Sequence, residues 1–312
     1  MSAALGPTWD CDFARRSPMF APLKALADRL PALGWPDAAV LNQVAESAGR
    51  RVVNARGQRI RFVTAAPAAG ALGFEPRTYL HGEVQVRPIN WHDLLNALAW
   101  IAFPTSKASI NGRHQAALET QAGGERSPVR DALTHFDEDG VVVLCSQPEL
   151  SELVRSFAWK SLFWERRAEV LSSMRFFLFG HALYEKALAP FIGMTGKALV
   201  FDVSPAVLER DAHAQRGEVD RLTALHLWNP ERMLHPRELC PLPVLGVPGW
   251  WPANEHAAFY DDTDYFRPGR RPDPLQTLAR LCPASGTGTF SVRGESSSPS
   301  PPAPHPYWGE GS

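Results

Sequence analysis

The stretch NWHDLLNALAWIAFPTSKASINGRHQAAL, running from Asn90 to Leu118, decides how the chain is read. It predicts two helices joined by a turn at Phe103-Pro104-Thr105. Asn90 is a favourable N-cap, and Pro104 breaks the helical run, with Thr105 or Ser106 able to cap the second helix. With His92 at zero on a helical wheel, Asn96 falls at about 40° and Asp93 at about 100°. Leu94, Leu95, Leu98, Ile101 and Ala102 fill the opposite arc. The polar strip continues as Trp100 and Phe103 rather than as charge, so it reads as enclosed. On the second helix Lys107, Asn111 and His114 share a face at i, i+4 and i+7. If the helices run antiparallel, Asn96 and Asn111 each lie about 11–12 Å from the turn, and His92 and Asp93 near the level of His114. The expectation is two inward polar strips facing each other at matched heights.

The surrounding chain has room to enclose such a site. Its 312 residues are 45% hydrophobic and 21% charged, the balance of a globular protein with a sizeable core. A net charge of -1 supplies no general field toward nucleic acid or anionic lipid, and neither partner is expected. Cys11, Cys145, Cys240 and Cys282 are scattered, with no C-x-x-C pair for a thiolate zinc site. No segment reads as a leader, and Met174 to Phe179 is apolar but too short to span a bilayer. A reducing, cytoplasmic setting with free thiols is expected.

Outward from the centre, Trp9, Phe13 and Phe20 pin an N-terminal segment to the core. Helices are expected at 22–30 and 36–48, strands at 59–63 and 79–86, and a loop at 67–73. After a loop at 121–127, Asp139-Gly140 before Val141-Val142-Val143 signals a tight turn into a buried strand at 141–145. Helices at 148–164 and 165–179 come next, then Gly180-His181-Ala182-Leu183-Tyr184-Glu185-Lys186, which sets His181, Tyr184 and Glu185 on one helical face. A strand at 198–203 precedes a helix opened by Ser204-Pro205 and reaching Leu225. Beyond Asn229 prolines enforce irregular chain. The result is an α+β fold, mainly α-helical with a few short strands: one globular domain over 1–283 and a disordered Ser/Pro/Gly-rich tail over 284–312.

Several of these elements together resemble a known family. Asn90-Trp91-His92-Asp93, Phe103-Pro104, Lys107, Asn111, His114, Arg130-Asp131-Ala132-Leu133-Thr134, Phe136-Asp137-Glu138, the Gly180–Lys186 run and Pro248-Gly249-Trp250 are similar to the bacterial family catalogued as domain of unknown function 3025. The resemblance covers roughly residues 10–275. His135 stands where that pattern has an apolar residue. The family name implies a real domain and carries no activity, cofactor or catalytic residue.

Function therefore rests on the residues. One reading is a metal-assisted hydrolase: the His92-Asp93 pair is like the His-Asp pair of metal-dependent phosphohydrolases, a divalent metal would be the cofactor, and His114, Asp131, Asp137, His181 and Glu185 add donors. A second needs no metal. His92 or His181 acts as general base, oriented by Asp93 or Glu185, while Asn96, Lys107, Asn111, His114, Arg130 and Asp131 bind a small polar or anionic ligand. A third keeps the polar cluster as structure that satisfies its own hydrogen bonds. A fourth is a binding protein whose Trp250 and Trp251 contact a partner. The working expectation is hydrolase-type chemistry at a buried His/Asp/Asn site; oligomeric state is open. Asp137-Glu138-Asp139-Gly140 is read as an acidic turn and Gly193–Lys197 as a plain loop.

Overall fold

A computed structural model describes residues 8–64, 72–120 and 127–269 of the chain. The expected loops at 67–73 and 121–127 fall largely outside these residues. Cys282, the boundary at 283 and the tail lie wholly outside them. The described residues belong to one compact unit ending at Gly269. The fold is mainly helical α+β, as expected. Its elements are α1 (Lys24–Ala27), α2 (Ala38–Glu46), β1 (Arg61–Val63), α3 (Phe74–His81), β2 (Glu83–Gln85), α4 (Trp91–Ala102), α5 (Pro104–Thr120), α6 (Pro128–Asp139) and β3 (Gly140–Cys145). They continue with α7 (Pro148–Arg155), α8 (Arg167–Ser173), β4 (Met174–Leu178), α9 (His181–Ala187), β5 (Thr195–Asp202), α10 (Pro205–Leu208), α11 (Ala212–Trp228) and β6 (Cys240–Pro243).

The larger sheet has strand order β4-β3-β5-β6. Its centre is β3, parallel to β5 and antiparallel to β4. Every residue of β3 is buried, which explains its unbroken apolar run in place of an alternation. Two prolines, Pro241 and Pro243, sit in β6, where an edge strand can spare their missing N–H groups. The short strands β1 and β2 pair in parallel as a separate ribbon. Among the described residues no helix is long and apolar enough to cross a membrane.

The central stretch forms its two helices, with the Asn90 side chain accepting from the Asp93 N–H at 2.9 Å. It is not a side-by-side hairpin. Phe103 leaves the helical region at φ -130°, ψ 56°, after which α4 packs chiefly on α9 and α5 chiefly on α11. The cap of α5 is not Thr105 or Ser106. Their N–H groups, at 3.3 and 2.8 Å, reach the carboxylate of Asp220, a fully buried residue of α11. A helix start buried against another helix takes its counter-charge from that helix.

Other expectations are corrected by tertiary pairing. Most of 79–86 is not strand: α3 runs to His81 and stops at Gly82, whose φ of 67° supports a left-handed cap, leaving three residues for β2. The expected helix at 165–179 ends at Ser173, because the apolar run Met174–Leu178 pairs with β3. The helix at 148–164 breaks where Phe157 turns to φ 61°, and the one from Ser204 splits at Asp211, which caps α11. The acidic segment Asp137–Asp139 is the last turn of α6, which enters β3 with no loop. His135 is exposed on that helix, so its polarity costs no packing. Trp9 does pin the N-terminal segment, stacking on Trp91 at 5.3 Å between ring centroids.

Two glycines shape the junction, Gly140 where α6 turns into β3 and Gly180 where α9 meets the end of α6. A Cβ on Gly140 would stand 2.3 Å from the Phe136 carbonyl, and one on Gly180 2.3 Å from the Glu138 carbonyl. Only residues without side chains let these backbones touch. The N–H of Gly180 donates to the Gly140 carbonyl at 2.9 Å, fixing the end of α6 against the start of α9.

Candidate functional site

This junction positions the polar residues. His181 opens α9, is buried, and donates from Nδ1 to the Asp137 carbonyl at 2.8 Å. Its Nε2 faces the Nε2 of His92 on α4 at 3.0 Å. Behind His92, Nδ1 lies 2.9 Å from a carboxylate oxygen of Glu185. The side chains of His92 and Glu185 are 37% and 44% exposed, so this end of the line meets solvent. Burial pushes the His181 pKa down to about 4, against the pull of Asp137 and with help from Lys107 and His92; the ring is neutral at pH 7.

One turn further along α4 the arrangement is closed. The Lys107 ammonium donates to Asn96 Oδ1 at 2.9 Å and to Asp137 Oδ1 at 2.5 Å. Lys107 is 3% exposed, a charge that could stand there only when paired. Burial alone would raise the Asp137 pKa, but the charge of Lys107, then His181, the Lys107 hydrogen bond and His114 outweigh it and hold the carboxyl low. Asp137 thus touches both assemblies, its side chain meeting Lys107 and its carbonyl meeting His181.

Asn111 does not face Asn96. Its amide donates to the backbone carbonyl and carboxylate of Glu75 on α3, at 3.0 and 2.7 Å. Burial raises the Glu75 pKa to about 7; the Asn111 hydrogen bond opposes this, Asp137 adds to it, and Lys107 and Arg130 oppose it. The charges of His114 and Arg130 act on this cluster as well, His114 lowering the Asp137 pKa and Arg130 the Glu75 pKa. Asp131 lies in the first turn of α6, where a carboxylate complements the helix dipole.

The two matched strips are thus corrected to a branching network, because α4 and α5 part after Phe103. Asp93 is corrected too. Its carboxylate accepts from the Arg87 N–H at 2.8 Å and from the guanidinium at 2.7 and 2.8 Å. Burial opposes ionisation there, but the hydrogen bonds and charge of Arg87 prevail and keep the Asp93 pKa low. The Asp93 carboxylate is taken up by Arg87 while His92 faces His181, so the pair does not converge on one point. Among the described residues no group of three or more His, Cys, Asp and Glu side chains is placed to hold a metal. Cys145 is buried and, like Cys11 and Cys240, a free thiol. Trp250 and Trp251 are both half-buried, Trp250 edge-on to Phe176.

Two contributors, Glu75 and Arg87, stand outside the sequence reading. Glu75 carries no local signal, and Arg87 lies six residues before the Asp93 that it pairs with. Asp137, a candidate metal donor in an acidic turn by sequence, lies instead in the last turn of α6 and meets Lys107 and His181.

The site is a buried ion-pair network capped by two imidazoles at its solvent edge, an arrangement suited to moving protons or holding a polar ligand. The chain belongs to the family described as protein of unknown function (DUF3025), whose model matches residues 60–270. No curated protein and no solved structure matches it.

Proposed function

We propose that this protein is a hydrolase-type enzyme that acts, in a cytoplasmic setting, on a small polar or anionic substrate at the His92–His181 pair. The observation that carries the reading is the pair itself: two imidazoles with facing Nε2 atoms 3.0 Å apart, each held from behind, at the solvent edge of a buried network. Backing of this kind fixes ring orientation in advance, as a reacting site requires. A water against the imidazole edges would give its proton to Nε2 of His92 and attack an electrophilic acyl or phosphoryl centre, and the imidazolium would return that proton to the alcohol or amine that departs. Arg87, with 60% of its side chain exposed, is a cation near Glu185 able to meet an anionic group. Asn96, Lys107 and Asp137 hold the site from beneath and, fully engaged with one another, serve positioning rather than substrate contact.

The test is turnover of a panel of phosphate esters, carboxylic esters and amides by the purified full chain. At least one should be hydrolysed, and His92→Ala should lower kcat by about 100-fold or more while leaving the fold intact. No turnover across the panel, or an undiminished rate in the variant, would sink the proposal. The closed Lys107–Asp137–Asn96 group favours a second reading, a non-catalytic binding protein whose polar cluster is structural. Under that reading changes at Trp250 or Trp251 abolish partner binding and His92→Ala does not.

A further inference from the structure

We propose that the facing nitrogens of His92 and His181 bind a divalent late transition-metal ion of the zinc class. A carbonyl only accepts, so His181 Nδ1 carries its proton, donated to Asp137, and Nε2 is left as a bare lone pair. The carboxylate behind His92 places that ring's proton on Nδ1 in the same way, leaving a second lone pair aimed at the first. Two lone pairs at 3.0 Å repel unless something positive lies between them.

Ring geometry indicates what that is. A straight N–H···N bond would set the ring centroids about 5.3 Å apart, the 3.0 Å gap plus about 1.15 Å of ring at each end. The centroids are 4.5 Å apart, with the rings at 77°. The rings are therefore bent relative to each other. The bend leaves space beside the N···N line, where an ion could lie at about 2.0–2.1 Å, the length of a zinc–imidazole bond, from both nitrogens. The backing is also that of metal-bound histidines, whose other N–H commonly goes to a carboxylate or a backbone carbonyl. Glu185 and the Asp137 carbonyl fill those two roles. With no third His, Cys, Asp or Glu ligand among the described residues, at least two positions of a tetrahedral ion would face water and ligand.

The same imidazole pair carries the hydrolase proposal, and with an ion on both Nε2 atoms the water would be activated by the ion instead of by the His92 lone pair; metal binding can be read without activity. Chelator-stripped full-length protein without a His-tag is titrated calorimetrically with Zn2+, and with Co2+ followed by its visible absorption. One ion per chain is expected. His92→Ala, a change at a half-exposed position, should weaken binding by about 100-fold or more, and Glu185→Gln by about 10-fold. His135→Ala, on an exposed part of α6, should leave binding unchanged. Absence of saturable binding, or equal binding by His92→Ala, overturns the proposal. So does side-chain 15N NMR that finds a proton on His92 Nε2 which saturating Zn2+ does not displace. Zinc binding without any hydrolysis would sink the hydrolase reading alone; hydrolysis by protein that binds no metal would sink this one alone.

Discussion

Two polar groups lie one helical turn apart on α4 and are built in opposite ways. Around His92 the side chains reach solvent and end in facing nitrogens; around Asn96 they are buried, and the Lys107 ammonium is shared between an amide and a carboxylate. Burial with full pairing yields rigidity at a desolvation cost, whereas exposure with fixed orientation leaves atoms available for chemistry. Asp137 joins the two, since its carboxylate completes the closed group and its carbonyl orients the open one. A residue that looks like a candidate acid is therefore placed to act as a support.

The largest test of this contrast falls on Asp137. Replacing it by Asn leaves the Lys107 charge buried without a counter-ion, which should cost about 3–5 kcal/mol in urea unfolding. Adding Lys107→Met to Asp137→Leu should restore most of that loss, because apolar groups can replace a buried pair. A single variant within about 0.5 kcal/mol of wild type would show that the closed group does not support the fold.

Glu75 gives a smaller, pH-dependent effect. Its carboxyl titrates at about 7 in the folded chain, above its ordinary 4.5. The folded state therefore holds more protons between those values, and this group's contribution lowers stability as pH rises from 4.5 to 7. Glu75→Gln should be neutral at pH 4 and stabilising at pH 8, by up to about 3 kcal/mol, in denaturation curves at the two pH values. An equal effect at both would refute the elevated pKa.

The smallest stability effect is expected at the open end. His92→Ala removes a half-exposed ring, so its melting should report a loss below about 1 kcal/mol. A much larger loss would make the imidazole pair part of the structural network and erase the contrast.

Local rules made much of this legible. Asn90 capped the helix it was expected to cap, Val141 to Cys145 formed the buried strand, and His181 and Glu185 met His92. The failures have a common cause. A helical wheel gives an angle on one helix, and the facing of two strips also depends on the path between helices. Phe103 turns that path, so Asn111 met Glu75, while Lys107 of the second strip did reach Asn96 of the first. Met174 to Leu178 failed similarly, since an apolar run of five residues suits either helix or strand until β3 offers hydrogen bonds.

By itself the sequence determined that a polar set would sit inside a mainly helical α+β core, because its caps, breaks and hydrophobic periodicity are properties of neighbouring residues. Only tertiary structure decided which polar groups would meet. The contact of Gly140 with Gly180 set Asp137 beside His181, and Asp220 was delivered to the start of α5 from more than a hundred residues away. Pairings of that kind depend on how whole elements pack, and no local pattern encodes them.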